Sequence, residues 1–518
     1  MNRRTLNSVT LAILVGLLSA CGGGSGGGGS GGGTAPPPPP PVPPPTLDAQ
    51  VRDMIAAKGL TGDPTTGRSL PSINEPLAQL GKLLFFSKSL SGDMDTACAS
   101  CHHPALGGGD GLALPVGTGA IDPDLVGPGR SRADGLPNVG RHSQSVFNVG
   151  LYDSALFWDA RVESTGKEAG QNGTGSGIRT PESPLHVADS NVPPGSSLVA
   201  AQARFPVTVP EEMLGSFMPG ATSEEIWQRL AERIGDYGAG AGELTNNNWL
   251  TEFRDAFASS VPAEQLVTFD NIALAIGEYQ RSMIFVETPW KAYVEGDNTA
   301  ISDLAKRGAL LFYGDLNPGL ACDQCHSGDF FTDERQTITG FPQTGPGKGD
   351  GPTGDQDFGR EQQTGDSVDR FKFRTPTLLN LTATGPYSHT GTYTLGDAGL
   401  HYFLPEETFR GRFPSGSLCN VPQFETHPDC ATLFPNTITN SSITLDAVMQ
   451  QRMIDPALTF PDLGFSPESD AEPVFEFIET LTDPCTQDRA CLAPWIPEPS
   501  EAPDDNQLNA VNENGDPL

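Results

Sequence analysis

The sequence predicts a mainly α protein whose two helical domains are joined by long irregular loops. Three observations carry this expectation. Apolar residues recur at helical spacing in short, well-separated segments. Alternating strand-like runs are missing between them. A five-residue motif, Cys-x-x-Cys-His, occurs twice, with its first cysteines at 98 and 322, so each half of the chain carries one copy.

The elements follow in chain order. Arg3, Arg4 and the apolar run Leu11 to Leu18 read as an export signal over residues 1–20, with a general secretory route expected. Leu18-Ser19-Ala20-Cys21 reads as a lipobox that leaves Cys21 lipidated. Residues 21–46 form a Gly/Ser then polyproline stalk, flexible first and stiff after. Helical stripes are expected at Val51, Met54 and Ile55, over Pro76 to Phe86, and after a start at Thr222-Ser223-Glu224-Glu225 through Ile226, Leu230 and Ile234. Further stripes run through Ile272, Ile276, Tyr279 and Met283, through Leu304 and Leu311, and through Val474, Ile478 and Leu481. The Asp/Gly stretch 343–356 lacks the ligand spacing of a calcium hand and reads as loop. The domain reading is 47–295 and 296–484, and the acidic, Pro/Asn-rich segment 485–518 is expected to be disordered.

Charge narrows the partners. A formal charge of -33 excludes a basic patch for nucleic acid or an anionic membrane, leaving a lipid anchor as the membrane contact. Nine cysteines divide without remainder: Cys21 to lipid, four to the repeated motif, and Cys419 with Cys430 and Cys485 with Cys491 as two local disulfides of an oxidising compartment.

Cys98-Ala99-Ser100-Cys101-His102 and Cys322-Asp323-Gln324-Cys325-His326 have the spacing that attaches haem c through two thioethers and ligates its iron with the following histidine. The competing readings are zinc and a redox dithiol. Structural zinc keeps its cysteine pairs closer together, and a dithiol leaves both histidines unexplained. Two cytochrome c-like haem domains are therefore expected. His102 is read as the ligand, and His103 as a surface residue or a propionate contact.

Around these motifs the chain resembles the bacterial di-haem cytochrome c peroxidases and their relatives, the MauG proteins. Five blocks over about residues 75 to 482 carry the resemblance: LGKLLFFSKSLSGDMDTACASCHHP, RHSQSVFNVGLYDSALFWDAR, AAQARFPVTVPEEM, RGALLFYGDLNPGLACDQCHSGDFFTD and FRTPTLLNLTATGPYSHTG. It implies a peroxidase that takes electrons from a small c-type cytochrome or another redox protein and reduces hydrogen peroxide. Trp158 falls on the tryptophan between the haems. Glu212, with Glu211 as competitor, falls on the glutamate above the reactive haem, and Gln202 on its glutamine partner. A Gly/Ser/Pro-rich insertion at 164–199 departs from the pattern. Thr118, in Val116-Gly117-Thr118-Gly119, stands where many relatives carry a histidine on the far face of the first haem, so an open first iron is expected. On the second haem, Met449 and Met453 lie far from His389, whereas TLGDAGLHY resembles the MauG pattern and puts Tyr402 on the axial position, with His401 or no ligand as alternatives. The family's calcium ion would rest on the carbonyls of Thr384 and Pro386, with His142, a poor calcium ligand, in place of its asparagine. The resemblance leaves open a MauG-like oxidase of a protein or organic substrate. The motifs alone also allow a non-catalytic electron-transfer lipoprotein. An exported protein at the outer membrane, facing periplasm or medium, is expected.

Overall fold

Side-chain caps start several of the helices that position the site. In the computed structural model, α1 (Leu47–Lys58) starts where Thr46 Oγ1 accepts from the Ala49 N–H at 3.2 Å, and stops at Gly59, whose φ of 67° needs no Cβ. α2 (Pro76–Phe85) opens on proline, and α3 (Ser223–Gly235) on a reciprocal box between Thr222 and Glu225. α4 (Phe269–Arg281), α5 (Pro289–Val294) and α6 (Asp303–Phe312) start on Thr268, Thr288 and Ser302. α7 (Leu395–His401), α8 (Thr437–Ile454) and α9 (Pro467–Glu479) follow. The structure describes residues 45–166, 168–173, 177–179, 196–317, 320, 322–454 and 467–518. The export signal, Cys21, stalk residues 22–44 and the 180–195 part of the insertion lie outside them.

Each haem motif is preceded by the same helix crossing. Gly81 of α2 packs so tightly on α4 that a Cβ there would overlap the Ala275 carbonyl. Gly308 of α6 meets α9 in the same way, at the Pro473 carbonyl. Gly-Lys-Leu-Leu-Phe-Phe and Gly-Ala-Leu-Leu-Phe-Tyr are thus two copies of one device, in which a glycine lets two backbones approach while the following apolar residues fill the core. β-structure is minor: Ala155–Leu156 pairs antiparallel with Val162–Glu163, and Gln336–Ile338 with Lys372–Arg374.

Two large cores form, one around α2, α3 and α4 and one around α6 and α9, but the chain ends cross over. Val51, Met54, Ile55 and Leu60, from α1 and the turn after it, lie in the core of the second haem motif, although the sequence groups them with the first. Residues 485–518 are the clearest correction. They are ordered against the first haem domain, with Leu492, Ile496 and Leu508 in its core. Asp504, 5% exposed, accepts hydrogen bonds at 2.7 Å from both Trp249 Nε1 and Ser89 Oγ. The acidic composition misled because this carboxylate is answered by buried donors, and a few apolar anchors suffice to hold a segment. Disulfides join Cys419 to Cys430 and Cys485 to Cys491. Among the described residues no helix is long and apolar enough to cross a membrane.

Candidate active site between two haem motifs

The first motif sits on a single helical turn, Cys98–Cys101, with His102 as its C-cap. His102 Nδ1 donates to the Gly108 carbonyl at 3.4 Å, and His326 Nδ1 to the Phe331 carbonyl at 3.1 Å. These bonds fix both tautomers and leave Nε2 for iron. Both histidines line one continuous cavity of about 480 Å³ with mostly apolar walls.

These residues fit haem. Burial pushes the Cys98 and Cys322 thiols up to about 12, which is unsuited to a redox dithiol but irrelevant to a thioether. Gln202 Oε1, Thr375 Oγ1 and His389 Nε2 line the cavity and are buried without a partner among the described residues, as polar groups awaiting a bound ligand would be. His103 is a correction: it is fully buried, not on the surface. Its Nδ1 accepts from the Ala105 N–H at 3.2 Å, its ring packs edge-on against Phe86, and burial pushes it down to about 3.

Glu212 lies on a short π-helical turn, Pro210–Leu214. The next residue, Met213, places its sulfur 3.9 Å from Cys98 Sγ, so the turn rests directly on the first attachment site. The loop carrying Thr118 is stitched to that turn: Thr118 Oγ1 donates to the Pro210 carbonyl at 2.9 Å, and the Thr118 N–H to the Glu211 carbonyl at 3.2 Å. Gly117 is required there, since a Cβ would overlap the same carbonyl. Asn138 completes the seam, donating to the carbonyls of Thr118 and Glu211.

Arg161 is the residue the sequence reading left without a role. Its guanidinium pairs with Glu212 at 3.3 Å and stacks 3.9 Å over the Phe157 ring. Its place in the Phe-Trp-Asp-Ala-Arg block was visible, but the pairing is a tertiary fact. Trp158 lines the cavity with both histidines, and its Nε1 donates to the His142 carbonyl at 3.0 Å. Arg141 braces this region from behind, bridging Asp159 at 2.7 Å and Asp357 at 2.6 Å. Burial alone would raise Asp159, but Arg141 and Arg161 outweigh it and hold the carboxyl at about 2.

Around the second motif, Tyr402 faces the cavity, and burial pushes its phenol well up. His401 faces away: its Nε2 donates to the Thr339 carbonyl at 2.9 Å, Nδ1 lies 3.4 Å from Tyr393 Oη, and its ring stacks on Phe341. Met449 is 53% exposed and does not line the cavity, and the Met453 side chain lies outside the described residues. Thr384 and Pro386 line the cavity. His142 Nδ1 donates to the Leu112 carbonyl at 2.9 Å. Among the described residues no cluster of three or more His, Cys, Asp or Glu is arranged to hold a metal ion.

Two Cys-x-x-Cys-His sites on a mainly α fold, sharing one cavity, define a di-haem c-type protein. Residues 75–299 match the family described as di-haem cytochrome c peroxidase. Over 364 residues the chain is 28% identical to the methylamine utilization protein MauG of Methylorubrum extorquens, covering 69% of this chain and 78% of that protein. It is 27% identical over 328 residues to the cytochrome c551 peroxidase of Pseudomonas aeruginosa, covering 63% and 71%. The fold is shared with a MauG-like protein associated with microbial copper homeostasis, at a TM-score of 0.50 and 18% identity, over 84% of this chain and 98% of that one. The match over residues 75–299 and the likeness to these two curated proteins support a di-haem cytochrome c peroxidase or MauG type of oxidoreductase, a family that carries two haem c groups.

Proposed function

We propose that the chain reduces hydrogen peroxide to water at the haem held by Cys98, Cys101 and His102. The observation that carries this reading is the Glu212 turn, lying against Cys98 with its carboxylate anchored by Arg161. Bound haem would supply cleavage of the peroxide bond and storage of the oxidising equivalents. Glu212 takes the proton from one peroxide oxygen and returns it to the other, so that water is the leaving group. Arg161 aims that carboxylate through their 3.3 Å ion pair. Gln202 Oε1, buried without a partner among the described residues, accepts a hydrogen bond from peroxide or the water it becomes. Thr118 is engaged with the Pro210 carbonyl and would not compete with peroxide at the first haem.

Trp158 is the proposed electron relay between the two sites. Its Nε1 proton is held by the His142 carbonyl, and its ring lies in the cavity that both histidines line. On the second site Tyr402 is the residue that would hold the haem iron together with His326, since both ring nitrogens of His401 have partners on the protein. Burial disfavours tyrosinate, so Tyr402 would hold iron only with its phenolic proton displaced. A tyrosine ligand favours the MauG-like reading, oxidation of a protein or organic donor, over a cytochrome donor. A small c-type cytochrome is the proposed reductant otherwise. A calcium ion on the Thr384 and Pro386 carbonyls would need a further ligand in place of His142, whose Nδ1 is engaged. Export as an outer-membrane lipoprotein through Cys21 completes the proposal.

The test is Glu212→Gln. Both haems should retain their spectra while peroxide cleavage slows ~100-fold or more in stopped flow. A normal rate in that variant removes Glu212 from the proposal.

A further inference from the structure

A column of stacked aromatic rings leads from the second haem motif toward the surface, and none of the chemistry above uses it. Phe312 lines the haem cavity, and Tyr313 packs against it at 5.1 Å between ring centres. Tyr313 also lies beside the attachment loop, because Lys58, 5.9 Å over its ring, is paired at 2.5 Å with Asp323, the residue after Cys322. Trp290 stacks on Tyr313 at 6.4 Å, and Tyr293 on Trp290 at 5.8 Å. All three rings are at most 2% exposed.

The proton acceptors along the column are uneven. Tyr313 Oη and Trp290 Nε1 are buried and, among the described residues, have no hydrogen-bond partner. Neither can shed a proton when it loses an electron, so a charge passing through them does not rest there. Tyr293 differs. Its phenol donates at 2.9 Å to Asp48, a surface carboxylate of α1 that Lys306 holds ionised from 2.9 Å. Arg52 lies 4.4 Å over the Tyr293 ring and Lys306 5.6 Å from it. Two cations on one ring oppose a radical cation there. They do not oppose the neutral radical left when the phenolic proton moves to Asp48.

We propose that Tyr313, Trp290 and Tyr293 form a relay that ends on Tyr293 as a redox-active tyrosine beneath the surface of α1. The proposal rests on the peroxidase reading for its oxidant, the equivalents that peroxide leaves at the second haem. In the step itself Tyr293 gives one electron through Trp290 and Tyr313 to the haem pocket and its phenolic proton to Asp48, leaving a neutral tyrosyl radical and a protonated carboxyl. A small one-electron donor of the hydroquinone class reduces the radical from outside, and the proton returns from Asp48. The relay lets the enzyme oxidise small donors on a face remote from the peroxide site.

The test uses the di-haem holoprotein without added reductant, freeze-quenched after peroxide and, in parallel, after flash oxidation with a photosensitiser. Electron paramagnetic resonance with ring-deuterated tyrosine should report a tyrosyl radical. The signal should be lost in Tyr293→Phe and Trp290→Phe, which keep the stacking, and lost or moved in Asp48→Asn. Spin-trap adducts mapped by mass spectrometry should fall on Tyr293. A radical after the flash but not after peroxide keeps the relay and sinks the peroxidase reading. Peroxide consumed normally, with no tyrosyl radical by either route or with a signal unchanged in Tyr293→Phe, overturns the relay.

Discussion

Asp504→Ala should release the C-terminal segment from the first haem domain. The Asp504 carboxylate accepts hydrogen bonds from Trp249 Nε1 and Ser89 Oγ, both at 2.7 Å, and from the Asn506 N–H at 2.8 Å. Trp249 and Ser89 are wholly buried, so alanine leaves two donors without partners in a dry site. Bonds to a charged acceptor contribute ~1.5–3 kcal/mol each and overlap when they share an acceptor, so the net loss is about 2–4 kcal/mol. The natural assay is hydrogen exchange of the amides that tie the segment down: Lys88 to Asn506 O, Leu508 to Phe86 O and Val511 to Asp124 O. If they exchange by local opening, that loss speeds them ~30- to 900-fold, while amides of α6 and α9 in the other core are unchanged. Asp504→Asn keeps an acceptor oxygen and should recover part of the protection. Exchange faster by less than ~3-fold, or equally fast in both cores, would refute the reasoning that this carboxylate fastens the segment.

Two further outcomes follow from the same geometry. Tyr402→Phe should change the resonance spectrum of the second haem and leave the first untouched, and an unchanged second haem would exclude the phenol as its ligand. His401 is buried neutral and pushed down to about 4, burial being the cause, against an ordinary 6.5. A base depressed in the fold gives its full stability above pH 6.5 and loses it as pH falls toward 4. Relative to His401→Gln, which cannot titrate, urea unfolding of the native protein should therefore lose up to about 3 kcal/mol across that window. A pH-independent difference between the two would contradict it.

What the sequence disclosed depended on whether a signal was local. Thr222 announces its helix because its cap is satisfied within three residues. The haem motifs are equally local, five residues each. The partnership of Arg161 with Glu212 spans 51 positions, and Asp504 reaches Trp249 across 255, so neither follows from spacing. The place of α1 was missed for the same reason: its apolar stripe says that a face is buried, not against which core. The acidic end of the chain was misread because composition averages over the few residues, Leu492, Ile496 and Leu508, that anchor it. His401 and Tyr402, adjacent in sequence, separated only once the turn of α7 sent one ring to Thr339 and the other into the cavity.

Peroxide should meet a free coordination site at the haem nearest the Glu212 turn. The most direct measurement is the electron paramagnetic resonance spectrum of the resting ferric protein, before and after one equivalent of peroxide. A high-spin component that is lost on adding peroxide is the predicted result. Two low-spin haems that ignore peroxide would contradict it.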